Sequence, residues 1–261
     1  MQIDRNLRDQ WKQDGDVWRM TLPEGWMQGR AVFGALTTAA AAGLAIRATG
    51  GERAVRSVGA QLLGPVLPGP LTGLCNVLRE GKNVTFVEVR LQQADKTLAV
   101  IQVVLVNPRA GSVTIAPAPR WEGLAPDASK EMPFISGMTP EFTKHLQVRW
   151  ATGNFPFTGE DEAKLTGYCR TREPSSGVEG LLALIDVWPC PTLSTLTKPA
   201  FASTVTWNAH IIEVPDDLSG WFAFEYTTIV GRDGFHTAAG RLHAPDGRLV
   251  AWTEQLYAIF D

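Results

Sequence analysis

The sequence predicts an α+β fold built from two tandem copies of one unit, each an antiparallel sheet wrapped around a long helix. Three observations carry this. First, one order of turns recurs. Val66-Leu67-Pro68-Gly69-Pro70 and a tight Ala94-Asp95-Lys96 turn in the first half are answered by Val214-Pro215-Asp216-Asp217 and Pro245-Asp246-Gly247 in the second. Second, the Asp turns lie 246−95=151 residues apart and the Pro turns 215−68=147 apart. Third, an apolar helical stretch precedes each copy. Duplication of this kind narrows the fold sharply, because each copy has one sheet face to bury.

The elements follow in order. Asp16 to Leu22 alternates as a strand should and is ended by Pro23-Glu24-Gly25. Phe33 to Ala48 reads as a helix rich in Ala, Leu and Ile, with Gly34 and Gly43 allowing close approach of neighbours and Gly50-Gly51 ending it. Strands are expected at about 55–63, 70–79, 83–93 and 97–106, joined by short turns and therefore antiparallel. Five prolines punctuate residues 107–133, a linker between residues 1–106 and 134–261. His145 to Trp150 and Leu165 to Thr171 read as strands. Ser175-Ser176 is positioned to cap a helix over about 177–187, with Glu179 as its first-turn carboxylate. Strands at about 201–213, 221–231, 234–244 and 248–260 complete the second copy. Edge-to-edge joining of the two sheets would hide edges that otherwise invite aggregation.

Composition excludes several classes of function. The 261 residues are 44% hydrophobic and 20% charged, as in an ordinary soluble protein. A net charge of −3 offers no basic footprint for nucleic acid. The longest apolar run, around Ala31 to Ile46, is too short to span a bilayer, so no membrane partner is expected. Residues 1–20 are charged throughout, with no visible signal peptide. Cys75, Cys169 and Cys190 show no paired metal-ligand spacing, so a reduced, cytoplasmic protein without metal or cofactor is the expectation. Nine tryptophans fit either aromatic-lined cavities or thick strand packing, and packing is the favoured reading.

Few residues are placed to carry chemistry. Asp186 sits near the end of the second helix in Leu181-Leu182-Ala183-Leu184-Ile185-Asp186-Val187-Trp188, among apolar neighbours. It is either a solvent-edge or capping residue, or a carboxylate aimed into a pocket where it holds and activates a water. The 147-residue offset places Ala39 opposite it, so the first copy lacks the acid and one site per chain is expected. Thr204 opens the strand Ser203 to His210, where period-2 alternation groups Thr204, Thr206, Asn208 and His210 on one face. It is an ordinary strand residue or a site hydroxyl, with Ser203 as the alternative register. Gln255, in the final strand, is an exposed strand residue or an amide that donates and accepts at once. Gly29 to Gly34 precedes a helix and could present N–H groups to an oxygen anion. The four histidines (145, 210, 236, 243) show no zinc-protease spacing, and no Gly-x-Ser-x-Gly elbow occurs.

The helix–strand duplication, Leu63-Gly64-Pro65-Val66-Leu67-Pro68-Gly69-Pro70, Leu78-Arg79-Glu80-Gly81-Lys82-Asn83 and the ending Leu249-Val250-Ala251-Trp252-Thr253-Glu254-Gln255 resemble double-hotdog acyl-CoA thioesterases of the bacterial thioesterase II type. The resemblance spans about residues 16–260. In that family an Asp ending the second helix, a Thr or Ser opening the next strand and a Gln in the last strand bind the attacking water. The resemblance thus implies Asp186, Thr204 and Gln255 as catalytic residues, an acyl-CoA substrate in an apolar tunnel between helix and sheet, and a homo-oligomer. The family often has a Gly-Gly-Gln type sequence at the first helix entry. Here Phe33-Gly34-Ala35-Leu36 stands there, leaving the oxyanion donor open. Two other functions remain. A hotdog hydratase or dehydratase would need a histidine paired with an acid on the opposite repeat, and none of the four histidines lies at a helix entry. A non-catalytic acyl-thioester or acyl-carrier binding protein would keep the tunnel without needing the polar trio.

Overall fold

The computed structural model describes residues 3, 6–117, 120 and 122–260. The first half runs α1 (Asn6–Asp9), β1 (Lys12–Asp14), β2 (Val17–Leu22), β3 (Met27–Gln28), β4 (Ala31–Val32), α2 (Gly34–Ala48), β5 (Ala54–Leu62), β6 (Gly69–Glu80), β7 (Val84–Gln93) and β8 (Lys96–Val106). The second runs β9 (Lys130–Glu131), β10 (Leu146–Thr152), β11 (Lys164–Thr171), α3 (Gly177–Asp186), β12 (Phe201–Ile211), β13 (Phe222–Arg232), β14 (Phe235–His243) and β15 (Leu249–Phe260).

Thirteen of the described strands form one antiparallel sheet, ordered β1-β2-β6-β7-β8-β5-β12-β15-β14-β13-β11-β10-β9. From the β5–β12 seam outward, β5-β8-β7-β6-β2 mirrors β12-β15-β14-β13-β11, so the chain holds two copies of one unit joined edge to edge. The seam is a regular antiparallel ladder from Thr206 opposite Gln61 to His210 opposite Ser57. Alternation decides which strand faces are buried. Val87, Val89 and Leu91 of β7 and Ala99, Ile101, Val103 and Leu105 of β8 point inward onto α2. Trp11, Trp26, Trp150, Trp188 and Trp207 are all buried in the core, as the packing reading of the tryptophans expects. The Ala94-Asp95 turn is confirmed: both residues have positive φ, 47° and 62°, the two-residue geometry that matches strand twist.

The helices pack against each other in opposite directions. Gly34, opening α2, faces Asp186, closing α3; Gly43, near the end of α2, faces Glu179, near the start of α3. Three expectations need correction. The helix starts are 177−34=143 residues apart, so Gly43 rather than Ala39 corresponds to Asp186 (186−143=43). The reason is a longer connection after α3 than after α2. Ser176 occupies the N-cap position without a side-chain cap bond, and Ser175 Oγ instead donates to the Ile3 carbonyl at 3.0 Å. Finally, the proline-rich segment contributes β9, which pairs with β10.

Candidate active site

Asp186 lies at the C-terminal end of α3, where its carboxylate meets the N-terminal end of α2. The approach is close enough to demand glycine: a Cβ on Gly34 would lie 3.0 Å from Asp186 Oδ2. The Ala35 N–H donates to the carboxylate. Burial nonetheless dominates, because removing a carboxylate from water penalises its charged form. It raises the Asp186 pKa from its ordinary 3.8 to about 7, against the lowering effect of hydrogen bonds from Gln255 and Ala35.

Gln255 projects from β15 on the inward face and is 1% exposed. Its Nε2 donates to Asp186 Oδ1 at 2.8 Å, and its Oε1 accepts from Thr204 Oγ1 at 3.0 Å. The three residues read from the sequence thus form one hydrogen-bonded chain, Thr204 to Gln255 to Asp186. The two bonds fix which way the amide points, since Oε1 faces a hydroxyl and Nε2 a carboxylate.

Thr204 reaches this chain by a route that simple alternation misses. Period 2 places it on the face of Asn208 and His210, which is exposed. Thr204 pairs with Tyr257 and Thr206 with Leu256, leaving Val205 in a β-bulge. One extra residue reverses the facing of everything before it. Thr204 therefore shares the inner face with Tyr257 and Gln255, while Ser203 is exposed.

Further polar groups line the same inner face and were not singled out from the sequence. Tyr257 stands opposite Thr204 on one side and His236 on the other. Its hydroxyl meets that of Tyr226 at 2.6 Å. Thr192 Oγ1 lies 2.9 Å from Thr228 Oγ1 and 3.2 Å from His236 Nδ1. The Cys190 thiol bonds within this group, and burial raises its pKa. Asp186, Thr204, Thr228 and His236 are partly exposed, whereas Gln255, Tyr226 and Tyr257 are buried below them. The expected apolar lining is therefore interrupted by hydroxyls beside the trio. The signal was present as residues two apart from Gln255 and Thr228 on their strands, Tyr257 and Tyr226. Only the strand register brings them together.

The opposite end of the helix pair is built differently. Arg8 of α1 binds the fully buried Glu179 carboxylate through two bonds, 2.7 and 2.8 Å. A Cβ on Gly43 would lie 2.9 Å from Arg8 Cβ, so the side chain occupies the space beside it. Trp11 fills the neighbouring space above Gly73, its Nε1 donating to the Ala40 carbonyl at 2.8 Å.

Comparisons with known proteins match this architecture. The acyl-CoA thioesterase N-terminal domain family matches residues 22–106, and the acyl-CoA thioesterase C-terminal domain family matches residues 126–259. No curated protein matches the chain. Among solved structures, a conserved protein of unknown function with a hot dog fold from Alicyclobacillus acidocaldarius is 17% identical, with a TM-score of 0.83 over 98% of each chain. A Thermobifida fusca YX protein classed provisionally as thioesterase II is 19% identical, with a TM-score of 0.83 over 100% of this chain and 99% of that one. An acyl-CoA thioesterase II from Mycobacterium marinum is 12% identical, with a TM-score of 0.75 over 98% of each chain. These likenesses show the fold, a double hotdog.

Proposed function

Since the chain belongs to the acyl-CoA thioesterase family, we propose that it hydrolyses acyl-CoA thioesters with a water activated at Asp186. The observation that supports this most is the Thr204–Gln255–Asp186 chain ending on a carboxylate whose pKa is raised to about 7. A general base is most effective when its pKa lies near the working pH. Asp186 accepts the proton of the attacking water, while Thr204 and Gln255 set the water's direction through their lone pairs and the fixed amide.

Attack on the thioester carbon places negative charge on its carbonyl oxygen. Helix α2 begins at this point, and N–H groups at a helix start favour an anion. The Ala35 N–H already serves Asp186, and those of Leu36 and Thr37 bond the Phe33 carbonyl. Among the described residues of this first turn, Gly34 is the candidate oxyanion donor. Collapse of the intermediate breaks the C–S bond, and the proton held by Asp186 passes to the leaving thiolate.

Thiol release from acyl-CoA, followed over pH, tests the reading. The rate constant kcat/KM should rise about tenfold per pH unit below about 7 and level off above it, because the base must be ionised. Asp186→Asn should lower turnover about 10²–10⁴-fold. Turnover within about threefold of wild type, set against the cost of losing a positioned base, would remove Asp186 from the mechanism.

A further inference from the structure

We propose that the acyl group bound here carries a hydrogen-bonding oxygen on its first few carbons, as hydroxy- and oxo-acyl thioesters do, and that the Tyr226–Tyr257 pair binds it. The inference rests on the thioesterase reading for the carbonyl's position, and adds the class of acyl group.

Proton counting carries the argument. Tyr226 is 1% exposed and Tyr257 is 5% exposed, and their hydroxyls lie 2.6 Å apart. Two hydroxyls bring two protons, and one hydrogen bond between them uses one. Among the described residues neither hydroxyl has a second hydrogen-bond partner. One O–H donor is therefore left over in a buried setting, where an unmet donor is costly. A ligand oxygen would satisfy it.

The position of the pair says which ligand oxygen. Tyr257 follows Gln255 by two residues on the same face of β15, a step of about 7 Å, and stands directly opposite Thr204. Tyr226 reaches it across the small residues of β14. A Cβ on Gly240 would lie 3.0 Å from the Tyr226 ring and 2.8 Å from that of Phe224, so glycine there seats both rings. The pair thus forms the floor next to the carbonyl site. Around it stand Thr192, Thr228 and His236, which also suit an oxygenated group better than a plain alkyl chain. An unsubstituted chain laid on this floor would leave the spare hydroxyl without an acceptor.

Hexanoyl-CoA, 3-hydroxyhexanoyl-CoA and 3-oxohexanoyl-CoA, compared by thiol release, test this. At least one oxygenated substrate should exceed hexanoyl-CoA in kcat/KM by about tenfold, the scale of one hydrogen bond gained and one unmet donor avoided. The Tyr226→Phe/Tyr257→Phe double variant keeps both rings and removes both hydroxyls, hence the spare donor, and should bring that ratio towards one. A wild-type ratio at or below one, or a ratio unchanged in the double variant, overturns the inference. Calorimetric binding of the same three compounds to the Asp186→Asn protein separates it from the activity. Preferential binding without wild-type hydrolysis supports the pocket and rejects the thioesterase reading. Hydrolysis by wild type without preference in either assay rejects the pocket alone.

Discussion

The raised pKa of Asp186 makes its charge a burden on the fold, and that burden is measurable apart from any activity. In the native protein Asp186 keeps its proton up to about pH 7, whereas an ordinary Asp releases it near 3.8. Between these values the native state binds more protons than the unfolded chain, so stability falls as pH rises through the window. The shift spans roughly three pH units, each worth 1.36 kcal/mol, which gives about 4 kcal/mol as an upper value. Solvent reaches part of Asp186, so about 2–3 kcal/mol between pH 4.5 and 8 is the working figure. Asp186→Asn removes this titration. The amide cannot accept from both Gln255 and Ala35 as the carboxylate does, but that loss is a constant offset at every pH. Urea unfolding at pH 4.5, 6 and 8 should therefore show wild type losing about 2–3 kcal/mol relative to the variant as pH rises. All other carboxylates titrate in both proteins and cancel. Parallel stability curves would refute the reasoning, and a wild type that gains on the variant with rising pH would reverse its sign.

Other outcomes follow from the same geometry. Thr204→Ala and Gln255→Ala should each slow hydrolysis less than Asp186→Asn, and the double variant should cost less than the product of the two, because both act through one hydrogen-bonded chain; a kinetic double-mutant cycle reads this. Ser203→Ala should leave turnover near wild type, since the bulge at Val205 turns Ser203 outward. Gly34→Ala should lower kcat while preserving the fold, because its methyl would stand 3.0 Å from Asp186 Oδ2; circular dichroism alongside kinetics separates the two effects. Arg8→Ala leaves the fully buried Glu179 carboxylate without its cation and should cost about 3–5 kcal/mol in denaturant unfolding.

Strands and hairpins were legible wherever a local rule decides them. Val84 to Gln93 alternates, Lys96 to Val106 is a run rich in β-branched residues, and the Ala94-Asp95 turn between them has the positive φ of a two-residue hairpin. Asp186 was legible for a different reason: a lone acid in the apolar run Leu181 to Trp188 is costly and stands out. The face of Thr204 was not legible, because a bulge depends on the partner strand and not on the residues that form it. Nor was the role of Leu7 and Trp11. Both are fully buried, yet nothing in their spacing shows that they cover the α2–α3 end opposite Asp186. The Tyr226–Tyr257 contact joins residues 31 apart on strands that are not adjacent, with β14 between them, so only the folded register shows it.

The β5–β12 seam has a consequence for how such a molecule can change. Two separate protomers pairing along these strands would assemble in proportion to their concentration, and dilution would undo them. Carrying both on one chain makes the pairing intramolecular, so its strength no longer depends on how much protein is present. In a dimer of identical protomers every substitution also enters twice, once at each end of the helix pair. Here a glycine can stand where its counterpart is an aspartate, and an Arg8–Glu179 pair can secure one end while Gly34 admits a carboxylate at the other. Covalent continuity lets the two ends diverge, one towards holding the fold and one towards chemistry.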